Sequence, residues 1–282
     1  MCKYKFYCWN NRHGNHLIAS INMIYYSFSM KNSSEIMLPP HRLFQFNTKN
    51  LENKQEKTIC HCDNVIDVTR EINPCLGGPD RISLLKMKQI ADKYIKFKLC
   101  IPDTPTFDIC IHIRDGDIFS NLIHFEYIQP CFDYYNQCLL NNRNKSICIL
   151  YTTGNSPIIP KLKETIENLN MKNVIFQHGS LESDLITLCS CETLVWSFSS
   201  FCFIPFVFSK TIKNHIIPEY IFSRERGARG KPWAGLDYPL ANNIQIIKHP
   251  NYILPGNWKN TPEQIETILN YKLPDEEKNK LL

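Results

Sequence analysis

Hydrophobic positions between residues 108 and 218 change their period in a regular way. The runs DICIHI (108 to 113), SICILYT (146 to 152), NVIFQ (173 to 177), TLVWS (193 to 197) and NHIIP (214 to 218) are short and largely apolar, as expected of strands covered on both faces. Between them lie longer segments with helical spacing. PCFDYYNQCLLNN (130 to 142) carries an apolar stripe at Phe132, Tyr135, Cys138 and Leu139. PIIPKLKETIENLN (157 to 170) has Pro157 and Pro160 where a first helical turn tolerates them. ESDLITLCSC (182 to 191) sets Glu182 and Asp184 near the positive end of its dipole, and SSFCFIPFVFSK (199 to 210) is apolar nearly all round. Strand and helix in strict turn, joined by short loops, predict an α/β fold with a parallel sheet and helices on both faces. Such sheets bind ligands beyond the carboxyl ends of their strands.

The first hundred residues open in the same style. KYKFYCW (3 to 9) reads as a strand, NNRHGN as a turn, HLIASINMIYYSF (16 to 28) as a helix and EIMLPP (35 to 40) as a strand closed by two prolines. A loop-rich stretch from 51 to 78 precedes a helix in PDRISLLKMKQIADKYIKF, residues 79 to 97. CIPDTPT (100 to 106), with two prolines, is the natural hinge. The expected division is a first lobe over 1–105, a second over 106–245 and a C-terminal segment over 246–282. The segment's helix, TPEQIETILNYKL (261 to 273), is expected to brace the lobes.

Composition narrows the class. A hydrophobic share of 43% in 282 residues supports a real core and excludes a disordered chain. The 32 basic and 27 acidic residues leave a net charge of +5, dispersed along the chain. That favours anionic ligands over a nucleic-acid face, which needs concentrated charge. The chain has 13 cysteines, but it is large for a disulfide scaffold and its opening residues lack the apolar core of a signal peptide. Reduced thiols and a cytoplasmic location are therefore expected. The longest apolar run, VWSFSSFCFIPFVF (195 to 208), contains three serines and a proline and falls short of the roughly 20 residues of a membrane span.

Candidate chemistry concentrates in ICIHIRDGDIF, residues 109 to 119. Period-two geometry points His112 and Arg114 away from Ile111 and Ile113, and the strand runs out at Asp115-Gly116. An arginine at a strand end, beside a glycine that lets backbone approach, is placed to fork onto a diphosphate. A salt-bridged arginine at a strand end is the plainer alternative.

The pattern His112-x-Arg114-x-Gly116-Asp117 resembles the His-x-Arg-x-Gly-Asp signature of the α-1,2-fucosyltransferase family and the wider fucosyltransferase group. Many members have a second arginine where this chain has Asp115. RHGN (12 to 15) is similar to that family's Gly-x-x-Gly-Asn-Gln motif, keeping Gly14 and Asn15 but placing His16 at the Gln position. ESDLITLCSCETLVWSFSSF (182 to 201) resembles its block of short helix, strand and Ser-Thr-Phe-type turn, and the tyrosines of PCFDYY (130 to 135) match a pair taken here as packing. The resemblance implies two Rossmann-like lobes of the GT-B glycosyltransferase kind, with 1–105 facing the acceptor and 106–245 binding the nucleotide sugar. It implies that Arg114 holds the β-phosphate of GDP-fucose, that Gly116, Asp184, Ser199, Ser200 and Phe201 line the donor site, and that His13, Gly14 and Asn15 face the acceptor. Fucose would be transferred to a sugar hydroxyl with inversion and without metal. No cofactor is expected beyond that nucleotide-sugar co-substrate, and the partners are the donor and a glycan or glycoside acceptor.

Other readings compete. Asp115 and Asp117 could form the Asp-x-Asp metal motif of GT-A glycosyltransferases. A catalytically silent carbohydrate- or nucleotide-binding protein of the same fold would also keep these residues. Cys60, His61 and Cys62, or Cys189 and Cys191, lack the paired spacing of a zinc site. His13, His16 and Asp117 are the groups among which a base for the acceptor could lie, and His112 is expected beside Arg114 among the catalytic residues. The loop RERGARGKPW (224 to 233), with Arg224, Arg226, Arg229 and Lys231, is either a basic lid or a solvated surface loop.

Overall fold

A computed structural model of the chain describes residues 3–5, 16–17, 20–21, 24, 35–38, 40–47, 84–119, 128–219, 243–253 and 257–281. Its centre is a six-stranded, wholly parallel sheet. The strands are β5 (Phe107–His112), β6 (Ile147–Leu150), β7 (Val174–Gln177), β8 (Cys191–Val195), β9 (Asn214–Pro218) and β10 (Ile244–Ile247). They lie in the order β10-β9-β8-β5-β6-β7. The first strand of the set is thus central: the chain builds outward through β6 and β7, then returns to β5's other side for β8, β9 and β10. This is the doubly wound order, with its reversal between β5 and β8.

The apolar runs become strands because both of their faces are covered. Ile109, Cys110, Ile111, Cys148, Ile149 and Leu150 are all buried. On one side of the winding, α2 (Phe132–Asn141) packs against α3 (Ile158–Asn168). On the other, α4 (Leu181–Cys189) packs against α5 (Phe203–Phe208). Ser180 caps α4 by accepting the Ser183 amide at 3.2 Å. Tyr134 and Tyr135 are fully buried. The Tyr134 hydroxyl reaches the carbonyls of Trp196 and Ile216, at 3.1 and 3.0 Å, and so ties α2 to β8 and β9.

The expected strands at 108, 146, 173 and 214 match closely. The expected strand at 193 to 197 begins two residues earlier, and Trp196-Ser197 lies beyond it. The helix expected over 199 to 210 divides into a 3₁₀ turn (Ser200–Cys202) and the short α5. β10 was not expected, and a boundary at 245 cuts through it.

In the N-terminal part, β1 (Lys3–Lys5) pairs in parallel with β2 (Glu35–Met37). His16, Leu17, Ser20, Ile21 and Ile24 are helical between them, a strand-helix-strand opening like that of the second lobe. The expected helix over 79 to 97 is shorter. Its described part, α1 (Leu84–Tyr94), gives way to β4 (Ile95–Phe97), which pairs antiparallel with β3 (Phe44–Phe46). Phe44 and Phe97 both stack on Phe208 of the second lobe, with centroids 5.8 and 5.0 Å apart, and α1 also lies on α5.

The C-terminal segment is seated on the second lobe. Within it, α6 (Pro262–Asn270) packs against α2, and Asp133 of α2 accepts the Leu273 amide at 2.9 Å. The buried Glu277 of α7 (Asp275–Lys278) accepts the Lys248 amide just beyond β10 at 2.9 Å and pairs with Lys280 at 2.6 Å. No helix among the described residues is long and apolar enough to cross a membrane. The described cysteines are free thiols.

Candidate active site

The register brings five strand exits to one edge of the sheet. His112 pairs with Leu150, Leu150 with Gln177, and Val195 with Ile111 and Ile216. Arg114 leaves β5 beside the residues that leave β8, at the point where the winding reverses. In sheets of this order the connections on either side of the reversal leave to opposite faces, and ligands bind in the crevice between them. The Arg114 guanidinium donates from Nη1 to the Phe198 carbonyl at 2.9 Å. It is 5% exposed, so its charge stands in a poorly solvated setting, where its attraction for an anion is strong.

His112 also faces the turn after β8. Its Nδ1 lies 2.6 Å from Ser197 Oγ and 3.4 Å from Cys202 Sγ, and its ring lies against Phe201 at 5.7 Å. Burial, with a smaller contribution from the Arg114 charge, lowers its pKa to about 3. The imidazole is neutral and enclosed. Ser199 caps the 3₁₀ turn by accepting the Phe201 amide at 3.2 Å, while its own amide donates to Ser197 at 2.9 Å. The Phe201 amide is therefore already engaged. Ser199 and Ser200 are both buried in this turn.

Asp115 turns the other way. Its carboxylate accepts the backbone amides of Thr152 at 3.0 Å, Thr153 at 2.9 Å and Gly154, three successive donors in the turn after β6. Gly116, at φ +73°, donates its amide to Asn155 Oδ1 at 2.7 Å, and its carbonyl accepts from Asn155 Nδ2 at 3.1 Å. The carboxylate that stands where many members of the resembled family carry a second arginine is thus directed into the turn after β6. Both its oxygens hold backbone amides. Among the described residues no cluster of three or more His, Cys, Asp or Glu is arranged to hold a metal ion. Asp117 is described by its backbone alone, in the 3₁₀ turn Gly116–Phe119. Trp258 closes that turn from the C-terminal segment, its buried indole donating to the Ile118 carbonyl at 3.0 Å.

No protein-family model matches the chain, and no curated protein matches it. Among solved structures it is similar to an Arabidopsis thaliana FUT1 mutant in complex with GDP, at 12% identity over 76% of this chain and 70% of that one, with a TM-score of 0.40. It is also similar to the E. coli heptosyltransferase WaaC. With ADP-2-deoxy-2-fluoro heptose the identity is 12%, over 78% of this chain and 59% of that one, with a TM-score of 0.32. With ADP the figures are 11%, 83%, 65% and 0.35. The chain spans less than two thirds of WaaC's length.

The remaining expected residues are dispersed. Asp184 lies at the exit of β7, two strands from Arg114, where Oδ1 accepts Gln177 Nε2 and the Gly179 amide, each at 3.1 Å. It fixes the turn after β7. His16 sits in the first lobe with Nδ1 2.9 Å from His41 Nε2. Because His41 Nδ1 accepts the Leu43 amide at 3.0 Å, His41 carries its proton on Nε2 and donates it to His16. His16 Nδ1 is then the acceptor in that bond. His13, Gly14 and Asn15, Cys60, His61 and Cys62, and the basic loop at 224 to 233 lie outside the described residues.

Sequence reasoning missed Thr152–Asn155, Ser197, Phe198 and Trp258. The first group had a signal: Thr-Thr-Gly-Asn directly after an apolar strand is a strand-exit turn. Trp258 had none, since nothing local ties it to a turn 140 residues away.

Proposed function

We propose that the chain is a glycosyltransferase that moves a sugar from a nucleoside diphosphate sugar to an acceptor hydroxyl. The observation that carries this reading is the nearly buried Arg114, held at the reversal point of a doubly wound sheet and facing a serine-bearing turn on the neighbouring strand. The acceptor oxygen attacks the anomeric carbon, its proton passes to solvent or to the departing diphosphate, the bond from that carbon to the diphosphate oxygen breaks, and negative charge collects on the departing phosphate. Arg114, with the Ser199 and Ser200 hydroxyls, neutralises that charge. The motif resemblance names GDP-fucose as donor and inversion without metal as the course. His112 packs behind the site, and Asp184 orders the turn after β7, two strands away.

A panel of nucleotide sugars and free nucleotides, screened by thermal shift, identifies the donor through the stabilisation it confers. Transfer of labelled sugar is then compared between wild type and Arg114→Ala. Loss of one donor to a developing oxyanion raises the barrier by about 2.7 to 4 kcal/mol, roughly 100- to 1,000-fold in rate. Near-normal turnover in Arg114→Ala sinks the assignment, and binding without turnover in the wild type points to a silent binding protein.

A further inference from the structure

The three residues that leave β5 are stitched in opposite directions. The Arg114 side chain reaches the turn after β8. Asp115 reaches the turn after β6 and gathers its three amides, and Gly116 is held through both of its backbone polar groups by Asn155 of the same turn. Three successive amides converging on one point form a concavity that binds anions, and here a carboxylate of the chain itself fills it, only 4% exposed. Gly116 sits in the left-handed region at φ +73°, and a Cβ there would meet the Thr153 methyl at 3.5 Å. The backbone on which Arg114 rides is therefore anchored one residue away, on the face opposite its guanidinium.

We propose that Asp115 and Asn155 form a clamp that positions Arg114 for phosphate. Neither residue touches the ligand. The clamp fixes the 114–116 backbone so that the guanidinium enters the crevice already oriented, and it closes the amide concavity after β6 to phosphate, leaving the Arg114 side of the crevice as the anion site. This rests on the nucleotide-sugar reading above.

The test is a double-mutant cycle on GDP affinity, measured by titration calorimetry on the full chain with wild type, Arg114→Ala, Asn155→Ala and the double variant. Asn155 is exposed, so its truncation spares the core, and melting curves check that each variant is folded. Acting through Arg114, Asn155→Ala weakens GDP binding by about 5-fold or more in the wild-type background and by less than about 2-fold in the Arg114→Ala background. A purely structural role gives the same loss in both backgrounds and overturns the clamp. So does an Asn155→Ala variant that binds GDP as wild type does while Arg114→Ala does not. Asp115→Asn, which keeps the size of the side chain but not its second acceptor, should repeat the pattern. A wild-type chain that binds no nucleoside diphosphate overturns the function reading and the clamp together, an outcome distinct from the other two.

Discussion

Acidification should unfold this protein through its histidines well before its carboxylates titrate. Burial lowers the pKa of His112, His215 and His249 to about 3, with further lowering from Arg114 at His112 and from Lys88 at His215. In the unfolded chain each titrates near 6.5. A base whose folded pKa is depressed binds fewer protons in the native state than in the unfolded one at any pH between the two values. Its neutral burial is therefore fully tolerated above about 6.5 and increasingly penalised as pH falls towards 3. At 1.36 kcal/mol per pK unit, each histidine destabilises the native state by about 2 kcal/mol at pH 5, and the three together by about 6 kcal/mol. That is comparable with the whole stability of an ordinary domain. The carboxylates whose pKa is lowered, among them Asp108 through its bonds to Ser146, lose their contribution only below the unfolded carboxylate values, so the window from pH 7.5 to 5 isolates the imidazoles. Urea denaturation at half-unit pH steps measures the effect. The midpoint should fall steeply across that window, and His215→Asn should remove about a third of the slope. A midpoint that is flat or rises towards pH 5 refutes the reasoning.

Further outcomes follow from single contacts. Trp258→Ala empties a fully buried site and frees the Ile118 carbonyl; a loss of roughly 3 to 5 kcal/mol is expected from chemical denaturation, with weaker nucleotide binding because the turn after β5 loses its outer support. Tyr134→Phe removes the hydroxyl that joins α2 to the carbonyls of Trp196 and Ile216; it should lower stability by about 1 to 2 kcal/mol and leave nucleotide affinity unchanged, as a melting curve beside a titration shows. Brief alkylation of the native protein should label Cys100, which is exposed, ahead of Cys110, Cys131, Cys138, Cys189 and Cys202. Burial pushes the Cys131 thiol up to about 12 and the other four buried thiols upward as well, although contacts with Cys148 and Cys191 are the larger cause at Cys110. Peptide mapping reads the order, and early labelling of Cys110 at the sheet's centre contradicts it.

The sequence by itself determined the alternation of strand and helix in the second lobe, while the order of its strands came from the structure. Apolar runs such as ICIL and NHIIP can only be strands buried on both faces, and their alternation with amphipathic segments leaves a parallel sheet as the arrangement that satisfies both periods. It also placed Arg114 at a strand exit, since the run of β-branched residues ends where Asp and Gly begin. Weaker periods were harder to read. IQII at 244 to 247 is too short to be distinctive, and it becomes β10 only because β9 offers an edge to pair with. IKF at 95 to 97 continues a helical pattern, but pairing with Phe44–Phe46 and stacking on Phe208 makes it a strand.

Only the tertiary structure decided what the polar residues do. Asp115 stands where many members of the resembled family carry a second arginine, and nothing beside it in the chain says what its carboxylate holds. Its partners, the amides of Thr152 to Gly154, are 37 to 39 residues away in the chain, so no local pattern could reveal that it closes a turn. His16 reads as a base in sequence because imidazole titrates near neutrality, yet the amide of Leu43, acting through His41, makes its Nδ1 the acceptor of a buried bond. Hydrophobic burial is encoded by period and can be read along the chain. A hydrogen bond is directional and selects one partner among many, and that choice exists only after the fold has brought the partners together.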